Sequence, residues 1–196
     1  LPGVYSVTVT PPEDVDNAWG TLSAEALVGE RVTATQALVV PPQVDLRGLV
    51  TTFVGEPAAG ATLDARARAH DDTNGLHRSE EAVSNSLGAF VMSMDSGLYD
   101  MHVKVPPEAG FGWLVEPELI MDLDAGQVAR SYELVPPIPI DGVVTSANGL
   151  PVAGAVLRAY VLSGSGSETR QIQVAEAVSD AEGAYRLLIT PGFVAE

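Results

Sequence analysis

The chain has 196 residues (20.4 kDa), 46% of them apolar, with 26 acidic and 10 basic side chains and a formal charge of −16. That apolar share is enough for a folded core and argues against disorder, while the acidic surface argues against nucleic acid, whose phosphates need a basic face. No apolar run approaches about 18 residues, so no membrane-spanning helix is expected, and the lack of Cys removes disulfides, thiolate nucleophiles and Cys-based zinc sites together.

The basic residues are nine Arg and one Lys, Lys104, which points to a GC-rich coding source or a surface suited to high salt. The opening Leu1-Pro2-Gly3 carries no initiator Met, basic n-region or apolar h-region, as expected of a mature protein or a piece of a longer one.

Self-comparison organises the rest. Pro2-Gly3-Val4-Tyr5-Ser6-Val7 recurs as Ser96-Gly97-Leu98-Tyr99-Asp100-Met101, and the same spelling starts again at Pro191-Gly192-Phe193. Trp19 recurs as Trp113, Pro41-Pro42 as Pro136-Pro137, and Gly48-Leu49-Val50 as Gly142-Val143-Val144. Pro57-Ala58-Ala59-Gly60-Ala61 matches Pro151-Val152-Ala153-Gly154-Ala155, and Ser84-Asn85-Ser86-Leu87-Gly88-Ala89-Phe90 matches Ser179-Asp180-Ala181-Glu182-Gly183-Ala184-Tyr185. The offset is 94 or 95 throughout, the size of a domain rather than of a solenoid turn. Pro lacks the N–H that a strand ladder needs, so the Pro-Pro pairs mark boundaries. They divide the chain into 1–42, the C-terminal half of a module; 43–137, a complete module; and 138–196, the N-terminal half of a further one.

Short alternating stretches broken by Gly, Pro, Asn and Asp predict an all-β fold, with strands in the central module over 46–53, 61–69, 80–85, 88–94, 98–105, 113–122 and 127–134. Leu63, Ala65 and Ala67 alternate with Thr62, Asp64, Arg66 and Arg68, as in a half-exposed strand. Tyr99, Met101, Val103 and Val105 alternate with Asp100, His102 and Lys104 in the same way, which places His102 on the solvent face. Gly88 and Gly183 are expected in turns before strands. No amphipathic helix is expected.

The spelling G-x-V…P-x-x-G-A…(D/N)-x-x-G-x-(Y/F)…(P/S)-G-x-Y resembles the carboxypeptidase regulatory-like family. It is carried by Gly48, Val50, Pro57, Gly60, Ala61, Asn85, Gly88, Phe90, Gly97 and Tyr99. Gly142, Val144, Pro151, Gly154, Ala155, Asp180, Gly183, Tyr185, Pro191 and Gly192 carry it again. The resemblance implies tandem seven-stranded transthyretin-like or immunoglobulin-like β-sandwich modules, used by bacterial extracellular, cell-surface or periplasmic proteins, some of them grouped with carbohydrate-binding sandwiches. These motifs describe turns and core positions, so they speak to fold and not to chemistry. A resemblance to collagen-adhesin B-type modules raises a Lys–Asn isopeptide crosslink. That bond needs a buried Lys on an early strand, whereas Lys104 lies on the fifth.

Chemistry-bearing patterns are few. Counting His70 as position 1, Asp72, Asn74, Gly75 and Glu81 fall at positions 3, 5, 6 and 12 of a calcium loop, which makes Asp72, Asn74 and Glu81 candidate Ca2+ ligands. His at position 1, the lack of flanking helices and the unrelated Ser163–Glu168 loop of the next module favour a solvated polar hairpin. His70 and His77 with Glu80 or Glu81 are an alternative transition-metal set. No Gly-x-Ser-x-Gly elbow and no phosphate-cradling glycine loop occurs, so no enzyme is expected. Trp113, Phe111 and Trp19 are candidate sugar-stacking residues, weighed against core or domain-edge packing.

The expected function is a non-enzymatic extracellular scaffold or adhesion array, a filament or surface-appendage component among its forms. Its partners would be other modules of a longer chain or neighbouring copies joined head to tail, since 138–192 followed by 3–42 spells one module. The alternative is a carbohydrate-binding module or an accessory domain of a larger secreted or outer-membrane protein.

Overall fold

The computed structural model describes residues 3–9, 12, 20–26, 42–68, 79–164 and 169–192; over 3–8 and 20–26 the description is of the backbone alone. Thirteen strands and two short 3-10 turns make up the regular structure of these residues.

The centre of the chain folds because its strands alternate. β3 (Val44–Thr52), β4 (Thr62–Ala67), β5 (Glu80–Val83), β6 (Ala89–Met94), β7 (Gly97–Lys104), β8 (Leu114–Met121) and β9 (Gln127–Leu134) match the seven expected strands, with ends shifted by at most two residues. They form a three-stranded sheet, β6-β3-β9, and a four-stranded sheet, β5-β4-β7-β8. β3 runs antiparallel to β6 and parallel to β9. Val44, Leu46, Val50, Phe90, Met92, Tyr132 and Leu134 of the first sheet share one buried cluster with Leu63, Ala65, Tyr99, Met101, Val103 and Leu119 of the second. The two sheets therefore pack face to face as a β-sandwich. Phe90 stacks on Tyr132 at 6.0 Å between ring centroids, and the Tyr132 hydroxyl donates to Glu116 Oε2 at 2.8 Å.

Among the described residues one strand pair precedes the sandwich strands and two follow them. β1 (Gly3–Val9) pairs antiparallel with β2 (Gly20–Ala26). β10 (Ile138–Val143) pairs antiparallel with β13 (Ala184–Ile189), and β11 (Val156–Ser163) with β12 (Arg170–Val178). Among the described strands no ladder joins β1–β2 to β10–β13.

The loops repeat atom for atom. Asn85 Oδ1 accepts from the amides of Leu87 and Ala89, and Asp180 Oδ1 from those of Glu182 and Ala184. This Asx turn explains the (D/N)-x-x-G spelling. Gly88 and Gly183 follow at φ 72° and 77°, and a Cβ on either would sit 2.3 or 2.5 Å from the carbonyl oxygen of Val50 or Val144. Ser84 Oγ donates to Ala58 O at 2.6 Å and accepts from Ala61 N at 2.9 Å; Ser179 Oγ donates to Val152 O at 2.7 Å and accepts from Ala155 N at 2.9 Å. Strand registers repeat as well: Val44↔Met94 and Leu49↔Ala89 become Ile138↔Ile189 and Val143↔Ala184, and Thr62↔Val83 becomes Val156↔Val178.

One expected face is corrected. His102 is 2% exposed, and Asp100 is buried too, so β7 is covered on both sides. The cover comes partly from nearby chain and partly from chain that follows much later: Trp113 meets His102 edge to face, and Arg170 on β12 pairs with both carboxylate oxygens of Asp100. A period-2 pattern separates two faces but does not say that one of them meets water.

Candidate functional site

The residues around Trp113 form the candidate site. β7 ends at Lys104, a 3-10 turn spans Pro107–Ala109, and Phe111-Gly112-Trp113 leads into β8. Gly112 has no room for a side chain: a Cβ there would lie 2.8 Å from Leu188 O and from Thr190 Oγ1. Thr190 Oγ1 donates to Trp113 O at 2.6 Å. These contacts bring the end of β13 against the approach to β8. Phe111 meets Phe53 edge to face at 6.4 Å.

A cleft of about 830 Å3 opens there, with Lys104, Phe111 and Trp113 on one wall and Tyr185, Glu176 and Arg186 on the other. A second cleft, of about 580 Å3, lies between Trp113, Val115 and Val135 on one side and Ile138, Val161 and Ile189 on the other. Trp113 borders both.

The electrostatics centre on Asp64. Lys104 Nζ donates to Asp64 Oδ2 at 2.6 Å and Arg66 Nε to the same oxygen at 3.0 Å. Burial alone would push the Asp64 carboxyl up, but the Lys104 bond and the Lys104 and Arg66 charges outweigh it and hold it below its ordinary 3.8. Lys104 Nζ also lies 4.9 Å above the Trp113 ring, a cation–π contact that occupies one indole face. His102 stands beside this group with its ring 6.4 Å from that of Trp113 at 89°. Burial holds the imidazole below its ordinary 6.5, with the Arg66 charge acting in the same direction. Among the described residues neither of its ring nitrogens has a hydrogen-bond partner. A general base needs an imidazole that substrate can reach, and His102 is buried.

Of the sequence-derived candidates, Phe111 and Trp113 lie together on one cleft wall. Glu81 sits on β5, opposite Asp64 in the β4–β5 register. Trp19, Asp72, Asn74, His70 and His77 lie outside the described residues. Lys104 and Asp64 belong to the site and are not marked by any motif, and Tyr185, which also belongs to it, is marked only as a position of the repeat spelling. Lys104 was within reach of sequence reasoning only as the single Lys of the chain. Tyr185 was not, because 72 residues separate it from Trp113.

No family model matches the chain, and no curated protein matches it. Solved structures similar to it include a streptococcal ancillary pilin (13% identity over 98% of this chain and 64% of that one, TM-score 0.34). Others are the shaft pilin SpaA of Lactobacillus rhamnosus GG (14%, 76% and 83%, 0.33) and chlorocatechol 1,2-dioxygenase from Pseudomonas putida (16%, 47% and 59%, 0.30). The chain spans under two thirds of the length of the ancillary pilin and of the dioxygenase.

Proposed function

We propose that the chain is a non-enzymatic array of tandem β-sandwich modules of the carboxypeptidase regulatory-like kind, divided at 42/43 and 137/138, serving as a scaffold, spacer or adhesion stalk outside the cytoplasm. The observation that carries this reading is the recurrence of one bond set at an offset of 94 or 95. The Asx turns of Asn85 and Asp180, the Ser84 and Ser179 bridges and the Val50–Gly88 and Val144–Gly183 amide bonds all repeat. Repeated turns and bridges of this kind are what tandem copies of one module require. The −16 charge keeps neighbouring arrays apart. Limited proteolysis of the whole chain with mass spectrometry tests the division: cleavage near the Pro-Pro joints that leaves a protected fragment close to 43–137 is expected, and cuts inside β3–β9 first would overturn it. Antibody labelling of intact source cells tests the location, with labelling only after lysis as the contrary result.

A second reading, a carbohydrate site in the larger cleft, is favoured by three aromatic residues, Phe111, Trp113 and Tyr185, lining it beside the Asp141–Arg186 pair. Saturable polysaccharide isotherms abolished by Trp113→Ala would establish it. Flat isotherms across glucans, mannans and chitin fragments would leave the scaffold reading alone.

A further inference from the structure

Asp64, Arg66, His102, Lys104 and Trp113 lie on β4, on β7 and at the approach to β8, all inside the seven-stranded central sandwich. In the β4–β7 register Asp64 stands directly opposite His102, Arg66 opposite Asp100 and Thr62 opposite Lys104. Cross-strand partners have their Cβ atoms about 4.5–5.5 Å apart, so by register the carboxylate that belongs to the imidazole is that of Asp64. It is engaged elsewhere. Its Oδ2 accepts from Lys104 Nζ at 2.6 Å, which reaches diagonally across the ladder, and from Arg66 Nε at 3.0 Å. His102 is left 2% exposed, with neither ring nitrogen bonded among the described residues. Lys104 meanwhile covers one face of the Trp113 indole, 4.9 Å above it.

A buried imidazole beside two cations and without a bonded acceptor is held neutral. The charges around it decide what a proton would do. On β4 these are Asp64 and Arg66; on β7 they are Lys104 and Asp100, whose backbone carbonyl favours the charged ring. The β8 side presents Trp113 and, opposite His102 in register, Val115, neither of them charged. On β12 Arg170 is held by Asp100 and Glu176 by Arg158, and Glu176 also feels the Lys104 charge. With Asp100 engaged by Arg170, Asp64 is the carboxylate to which an imidazolium turns. A third cation beside one carboxylate is repelled by the other two. Arg66 has Asp100 opposite it, whereas Lys104 has the uncharged Thr62, so Lys104 is the one displaced.

We propose that this sheet face is a pH-driven partner exchange, in which protonated His102 takes Asp64 from Lys104 and the released ammonium leaves the Trp113 indole face open. At neutral pH the imidazole is uncharged, Asp64 belongs to Lys104 and the indole is capped. Burial and the Arg66 charge hold the folded imidazole below 6.5, so the exchange runs as pH falls below that value. Asp64 is held below 3.8 and therefore stays ionised, ready to receive the imidazolium, down to that pH.

Lys104 is the single Lys of the chain, so isotope-labelled lysine isolates its side chain in an NMR spectrum of the whole protein. Held over the indole, its ε-methylene protons are shifted upfield by the ring current. Between pH 6.5 and 3.8 that shift is expected to be lost with the same midpoint as the His102 ring titration, while β3 and β6 amides keep their folded positions. His102→Gln should keep the upfield shift across the whole window. An imidazole that titrates with Lys104 still over the indole would overturn the proposal, as would a lysine shift lost at the same pH in His102→Gln. A ring that stays neutral throughout, or a lysine with no upfield shift at neutral pH, overturns it equally. Loss of the folded β3 and β6 signals together with the lysine shift would show acid unfolding in place of exchange. The coincidence of midpoints needs no variant, and His102→Phe serves as the control if His102→Gln does not fold.

Discussion

A methyl group on Gly48 would lie 1.6 Å from the carbonyl oxygen of Arg130, because β3 and β9 approach each other there with nothing between the backbones. Gly48→Ala must therefore part a central parallel ladder, and a loss of about 3 kcal/mol or more in urea unfolding is expected. Ser84→Ala removes a buried hydroxyl that serves one donor and one acceptor, leaving Ala61 N and Ala58 O unsatisfied, and should cost about 1–3 kcal/mol. The same change at Ser179, whose bonds are only part-buried, should cost less. His102 gives the chain an acid sensitivity. Its folded pKa lies below 6.5, so as pH falls below 6.5 the unfolded state takes up a proton that the folded state refuses, and stability drops. Asp64, held below 3.8, adds its own loss only in stronger acid. The groups facing His102 are Asp64, Arg66 and Lys104, and none is bonded to it. His102→Leu, which also removes two unpartnered nitrogens, should flatten the midpoint-versus-pH curve below about pH 6.5. An unchanged slope would show that another group governs that range.

At the scale of elements, the position of β12 over β7 is the least expected feature of the molecule. It is marked by Arg170 reaching Asp100 with both terminal guanidinium nitrogens, in a pair whose side chains are 22% and 12% exposed. Arg170→Ala leaves a buried carboxylate without its partner and should destabilise by about 2 kcal/mol. Faster hydrogen exchange at β7 and β12 amides, with β3 and β6 unchanged, is the expected signature. The strands themselves were legible, since Leu63-x-Ala65 and Tyr99-x-Met101-x-Val103 alternate with period 2 and the turns carry Gly, Asn and Asp. The outward face of β7 was not, because Arg170, the partner of Asp100, lies 70 residues on and nothing in Asp100-x-His102-x-Lys104 distinguishes a wet face from a covered one. The same limit applies to the cleft: Phe111 and Trp113 adjoin in sequence, whereas the opposite wall of Tyr185, Glu176 and Arg186 comes from two other strands.

For the molecule as a whole, a net charge of −16 makes copies of the chain repel one another, and salt screens that repulsion. The second virial coefficient from light scattering is expected to fall between low salt and about 0.3 M NaCl; an unchanged value would show that charge does not set it. Fold class, the seven central strands and the repeated turns are local matters of alternation, Gly conformation and side-chain caps, and residues close in sequence settle them. Which face of β7 meets water, what surrounds Trp113 and which edges stay unpaired depend on where distant strands come to rest. Those are contacts between residues tens of positions apart, for which a single sequence carries no periodic signal, and only the packed chain decides them.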